Sequence, residues 1–186
     1  MIDVITIKRH YIRYWVDCSQ AARKAAEELA KKDTASLRDK YKPQNVIMTL
    51  NGKRVEFKGE NEKKHDGDIY FTYDEVKKCF GEPDSDGWRL PTKEELGALC
   101  KCPYKFEEDY GQCIFDNRLY LLAAGVRYCD GRVMYVGLWG EYWSSTSKGS
   151  DYVWLLYFDS DVVGMYDRDD QRQRYGFSVR LVRDVK

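Results

Sequence analysis

The sequence predicts an α+β domain, with helices mainly in its first half and antiparallel hairpins in its second. Three observations carry this expectation. An Ala-, Glu- and Lys-rich stretch from Ser19 to about Lys40, and a capping box at Thr92 and Glu95, mark helices. Asn51-Gly52 and Asp130-Gly131 stand between short apolar runs and suit the positive φ angles of tight hairpin turns. In the last quarter, Val153, Leu156, Phe158 and Val162, then Phe177, Val179 and Leu181, are spaced mostly by two, as on strands with one buried face.

Length and charge bound the rest. A chain of 186 residues suits one domain, here with an extension over residues 1–60 and a domain over 61–186. Chains of this size bury about 70% of their unfolded surface, enough for a core without disulfides. The formal net charge is zero, which argues against a nucleic-acid partner. No apolar run reaches the ~18 residues of a membrane span, so no membrane insertion is expected. Met1 to Lys8 lacks the apolar core of a signal peptide. The expectation is synthesis in the cytoplasm and association with a virion, or a cell-surface location if a signal has been removed.

In chain order, Ile2, Val4, Ile5 and Ile7 suggest a short strand. In the helix after Ser19, Ala22, Ala25, Ala26, Leu29 and Ala30 share one face, and Glu27/Lys31 and Glu28/Lys32 are favourable i,i+4 pairs. That alanine face packs on the domain or pairs with a second chain, which would make a homo-oligomer. Pro43 ends the pattern. Val46–Leu50 and Val55–Phe57 form a hairpin around Asn51-Gly52, and Lys58–Asp68 is a loop. Asp74–Cys79 is a short helix, and Asp84–Gly87 a turn. Thr92 begins a helix that runs to about Cys100, with Leu96 and Leu99 inward. An aromatic and acidic loop follows, then a strand at Arg118–Leu122 and a hairpin around Asp130-Gly131.

Cysteines and histidines show no metal pattern. The six cysteines, at 18, 79, 100, 102, 113 and 129, contain one close pair and no second pair at zinc-finger spacing. Free thiols in a reducing compartment are expected, with Cys102–Cys113 as a pairing open to an exported protein. His10 and His65 are isolated, so no cofactor or metal is expected.

The last quarter has unusual chemistry. From Gly149 to Val185 there is no Lys and no Glu; the polar positions are Tyr, Asp, Arg, Ser, Gly and Gln. Interfaces are depleted in Lys and Glu and enriched in Tyr, Trp and Arg. Binding loops use Tyr and Trp as stiff anchors. A solvated hairpin is the alternative, since Asp and Arg are ordinary on exposed strands.

Four ordered blocks resemble a known family. Gly87-Trp88-Arg89-Leu90-Pro91-Thr92 is similar to the helix start of the Fibrobacter succinogenes major paralogous domain. Leu121–Arg127, Gly140–Thr146 and Gly176–Arg183 are similar to three further blocks of that family. The resemblance implies a C-type lectin-like fold, with twisted antiparallel sheets, two principal helices and a hairpin-rich C-terminal half. Retroelement-diversified variable proteins of phages and gut bacteria share that fold and interleave variable residues with scaffold. By that likeness Leu156, Phe158 and Ser160 are scaffold. Tyr152, Trp154, Leu155, Tyr157, Asp159, Asp161, Tyr166, Arg168, Asp169, Asp170, Gln171 and Arg172 are the variable, exposed set, and Tyr142 is a further anchor.

Enzymatic readings fare worse. Formylglycine-generating enzymes of the same fold group need a cysteine pair near the C-terminus, and no cysteine follows Cys129. The related iron-dependent synthases need a histidine cluster. Asp167, Asp169 and Asp170 alternate with Arg168 and Arg172, as in a charge-mixed loop. The expected function is binding, without catalysis, of a protein or glycan on a target cell surface through residues of about 142–174. The alternative is an assembly protein of a virion or fimbria with a fixed partner.

Overall fold

The computed structural model describes residues 44–148, 152–168 and 174–185. The strand expected at Ile2–Ile7 and the helix expected after Ser19 lie outside the described residues. The described part belongs to a compact unit that begins at Gln44.

Strand β1 (Val46–Leu50) and strand β2 (Lys53–Phe57) make the hairpin expected at Asn51-Gly52, where φ is 49° and 80°. Strand β11 (Val182–Asp184), from the other end of the chain, pairs with β2. The hairpin is therefore part of the main unit, and the boundary falls at 43/44 instead of near 60.

Helix α1 (Tyr73–Phe80) and helix α2 (Lys93–Leu99) start at Thr72 and Thr92. Both caps are complete boxes: each Thr side chain accepts from the amide three residues on, and that Glu reaches back to the Thr amide. α1 stops at Gly81, whose amide donates to the Lys77 carbonyl. α2 is only 7 residues long.

The other named elements among the described residues are strands. β3 (Tyr104–Glu107), β4 (Gln112–Phe115) and β5 (Leu119–Leu122) form one antiparallel sheet, and β6 (Val126–Arg127) and β7 (Val133–Met134) form a two-stranded one. β8 (Gly140–Lys148), β9 (Tyr152–Phe158) and β10 (Val163–Arg168) form the sheet that carries the expected binding residues, with β9 in the middle.

This corrects the expected fold class. Among the described residues the architecture is mainly small antiparallel sheets, not an α+β C-type lectin-like arrangement with two principal helices. The physical reason is that the described chain is divided among four separate small sheets, so short helices at their expected places remain minor elements. Neither helix exceeds 8 residues, because the apolar spacing after each cap lapses within about two turns. The stretch expected as an aromatic and acidic loop is the β3–β4 hairpin, turning at Glu108–Gly111.

In the segment expected as a strand, residues 176–178 make isolated bridges in place of a ladder, and 179–181 belong to no strand. Gly176 bridges Arg127, Phe177 bridges Phe71, Ser178 bridges Tyr142 and Val182 bridges Arg89. The segment crosses between sheets, so each residue meets a different partner. Arg180, buried within it, donates to Asn61 Oδ1 at 2.9 Å and to the carbonyls of Lys58 and Gly59 at 2.8 and 2.7 Å. Asn61 in turn donates to the Tyr142 hydroxyl at 3.0 Å, which donates to the Leu122 carbonyl at 2.9 Å. This chain of bonds satisfies polar groups whose burial would otherwise cost several kcal/mol.

The β8–β9–β10 sheet separates two apolar clusters. Leu156 and Phe158 of β9 join Tyr142, Leu96, Phe115 and Phe57 on one side. Val153 and Leu155 join Trp143, Phe177, Val179 and Trp88 on the other. Cys79, Cys100, Cys102, Cys113 and Cys129 are free thiols. Burial pushes Cys100 up to about 11 and Cys113 up to about 12, which keeps both protonated and unreactive at neutral pH.

Candidate functional site

Alternation along β9 changes sides halfway. Val153 and Leu155 are buried on one face, while Leu156 and Phe158 are buried on the other. Each half of the strand is covered on one side only. Tyr152 and Trp154 are therefore exposed or half-buried on the face of Leu156, and Tyr157 is half-buried on the face of Leu155. The expected single face divides into two patches on opposite sides of one sheet.

The structure corrects three of the expected assignments. Tyr142 is 1% exposed, and its hydroxyl is occupied by Asn61 and Leu122. Leu155 is 0% exposed and packs with Trp143 and Phe177. Neither can anchor a ligand: Tyr142 shares a face with Leu156, its partner in register, and Leu155 lies under the second core. Ser160, expected as scaffold, is exposed in the β9–β10 turn, because the chain has already left the strand there. Tyr152, Asp161 and Tyr166 are exposed, and Trp154, Tyr157 and Asp159 are half-buried. Arg168 closes β10 opposite Val153. Asp169, Asp170, Gln171 and Arg172 lie outside the described residues.

The first patch gathers around Trp154. Lys93, the first residue of α2, places its ammonium 3.4 Å from the centre of the indole ring, and Lys148 lies 5.5 Å from it. Lys148 also pairs with Asp167 at 2.6 Å, and Asp167 stands opposite Trp154 in register. The Asp167 hydrogen bond holds the Lys148 pKa above its usual value, and Lys148 holds Asp167 below its own. Thr146 accepts from the Lys93 amide at 3.0 Å, which fixes α2 against β8.

The second patch is a row of four aromatic rings. Tyr135 stacks on Trp139 at 3.6 Å with 14° between planes. Trp139 meets Tyr157 at 6.0 Å and 67°, and Tyr157 meets Tyr166 at 5.3 Å and 75°, both edge to face. Glu141, directly opposite Tyr157, is buried beneath the row. The Tyr157 hydroxyl donates to Asp159 Oδ2 at 2.7 Å, while Asp159 Oδ1 accepts from the amides of Asp161 and Val162. Burial works against ionisation of Asp159, but the Tyr157 hydroxyl and the two amides outweigh it and hold the carboxyl below its usual range. Burial, reinforced by the Asp159 carboxylate, pushes the Tyr157 phenol well above its usual value.

A strained turn sets the row. Tyr135 has φ 61°, a conformation that costs a bulky residue roughly 1–3 kcal/mol. Its carbonyl accepts from the amides of both Leu138 and Trp139 at 3.0 Å, closing the turn. Gly125 sits beneath it at φ 73°, where a Cβ would lie 2.1 Å from the Met134 carbonyl oxygen. Sequence reading missed Tyr135, Trp139, Lys93 and Lys148. Trp139 was accessible in principle: counting back by two from Trp143 through Glu141 puts it on the face opposite Tyr142. Lys93 was not, because it comes from a different element.

A family described as a domain of unknown function (DUF8237) matches residues 116–182, which contain β5 to β10. No curated protein and no solved structure matches the chain.

Proposed function

We propose that the protein is a binding module without catalytic activity, which engages a protein or glycan on a target cell surface through exposed side chains of β9, β10 and the turn between them. The observation that supports this is the division of labour along β9. Tyr152, Trp154 and Tyr157 present aromatic surface, while Val153, Leu155, Leu156 and Phe158 between them are wholly in the cores. Stiff aromatic anchors flanked by Asp residues suit a binding face. Burial energy stays with residues that no ligand touches, so the outer chemistry can change at little cost to stability.

The residue types at the outer positions fit diversification by a retroelement, and this reading includes it. Deep sequencing of the gene's 3′ end across one population tests it. Substitutions are expected at the codons of Tyr152, Trp154, Tyr157, Asp159, Asp161 and Tyr166, with Tyr142, Leu155, Leu156 and Phe158 constant. An invariant 3′ end removes diversification and favours a fixed-partner assembly protein. Substitutions spread equally over the core codons would contradict the division of labour itself.

A further inference from the structure

We infer that the Tyr135–Trp139–Tyr157–Tyr166 row is a glycan platform, a site for neutral pyranose rings; this deepens the binding part of the reading above and rests on it, and does not depend on diversification. Two independent observations point to a built site. The four rings form one connected series drawn from three separate parts of the chain: the turn before β8, strand β9 and strand β10. The turn that supplies the first two holds Tyr135 in a left-handed conformation, and such strain persists where the surroundings enforce it, commonly at ligand sites.

The chemistry of the row matches a sugar. A pyranose has a flat patch of C–H bonds ringed by hydroxyls, so it needs an aromatic face beside polar atoms that accept and donate. Tyr166, 40% exposed, and the half-buried Trp139 and Tyr157 leave part of their aromatic surface to solvent. The Tyr157 hydroxyl and the Asp159 carboxylate, 2.7 Å apart, give the polar edge. Asp159 is spent on Tyr157 and two amides but keeps lone pairs for further acceptance.

Size separates this occupant from a broad protein partner. Tyr166 is 40% exposed and the other three rings less so. A whole aromatic side chain covers about 150–250 Å², so the row offers less than about 400 Å². A standard protein interface takes about 800 Å² from each side. The row is the size of one or two sugar rings.

Native electrophoresis of the full chain through gels containing soluble β-glucan, mannan, xylan or galactan tests the inference. At least one polysaccharide is expected to retard the protein. Trp139→Ala and Tyr166→Ala should each weaken that retardation roughly tenfold or more, and Tyr104→Ala, an exposed ring of β3 away from the row, should leave it unchanged. Tyr166→Ala removes an exposed side chain, so it keeps the test valid if Trp139→Ala fails to fold, as near-ultraviolet circular dichroism would show. No retardation in any of the four gels overturns the glycan platform. Retardation that Tyr166→Ala leaves intact overturns it also. Neither result touches the broader reading, which the population sequencing decides: variable codons at Tyr157 and Tyr166 would keep a binding face with another ligand.

Discussion

Leu155 and Tyr157 differ by two positions on one strand face, yet only one of them meets solvent. Leu155 lies between Trp143 and the Phe177–Val179 segment, while Tyr157 sits past the edge of that cover, next to Trp139. Leu155→Ala is expected to cost about 2–5 kcal/mol in urea unfolding, the usual range for an emptied core site. Tyr152→Ala, at 43% exposure, should change stability by no more than about 0.5 kcal/mol. Equal losses at both sites would mean that Tyr152 belongs to the core. Residue identities made the aromatic and acidic character of this region legible. They could not separate Leu155 from Tyr157, because burial here depends on what another segment covers.

At the scale of elements, local signals read well and contacts between elements did not. Asn51-Gly52 and the Thr92 cap formed their expected turn and helix start, since each depends on backbone geometry within four residues; the Thr72 cap, equally local, was not anticipated. The β3–β4 hairpin escaped notice because its turn at Glu108–Gly111 lacks a strong dipeptide signal. Gly140 shows the other kind of constraint. A Cβ there would lie 2.0 Å from the Phe158 ring, its direct partner in register. Gly140→Ala should therefore destabilise by about 1–3 kcal/mol through overpacking. Adding Phe158→Leu should return part of that loss, because the two residues share one space. Thermal unfolding of the two single variants and the double variant measures the coupling; strict additivity would show that the ring and the glycine do not compete.

At the scale of the whole molecule, charged side chains tie distant segments together. Arg127 bonds Asp68 and the Tyr70 carbonyl, and Lys64 bridges Asp68 at 3.3 Å and Glu75 at 2.6 Å. Burial opposes ionisation of Asp68 and Glu75. The Tyr70 amide, Arg127 and Lys64 at Asp68, and Lys64 and Thr72 at Glu75, outweigh it and hold both carboxyls below their ordinary values. A carboxyl depressed in the folded state contributes stability that is present above its unfolded pKa and is lost as pH falls through the folded one. The melting temperature should be level near neutrality and fall as pH drops below about 4. Asp68→Asn should lower it at pH 7 and flatten the acid slope; an unchanged slope would show that this cluster does not couple to unfolding.

What the sequence by itself determined is local: turn positions, the helix start at Thr92 and a stretch from Gly149 to Val185 free of Lys and Glu. These follow from the backbone preferences and periodicity of neighbouring residues. Only the tertiary structure decided the rest. It replaced the α+β C-type lectin-like expectation with small antiparallel sheets, because which strands pair, and into how many sheets, depends on contacts between distant segments. It divided one expected face into two, because β9 lies between two cores that each cover half of it. It also brought Trp139, stacked on Tyr135, against Tyr157, and Lys93 onto Trp154, since contacts across elements arise from packing and leave no spacing in the chain.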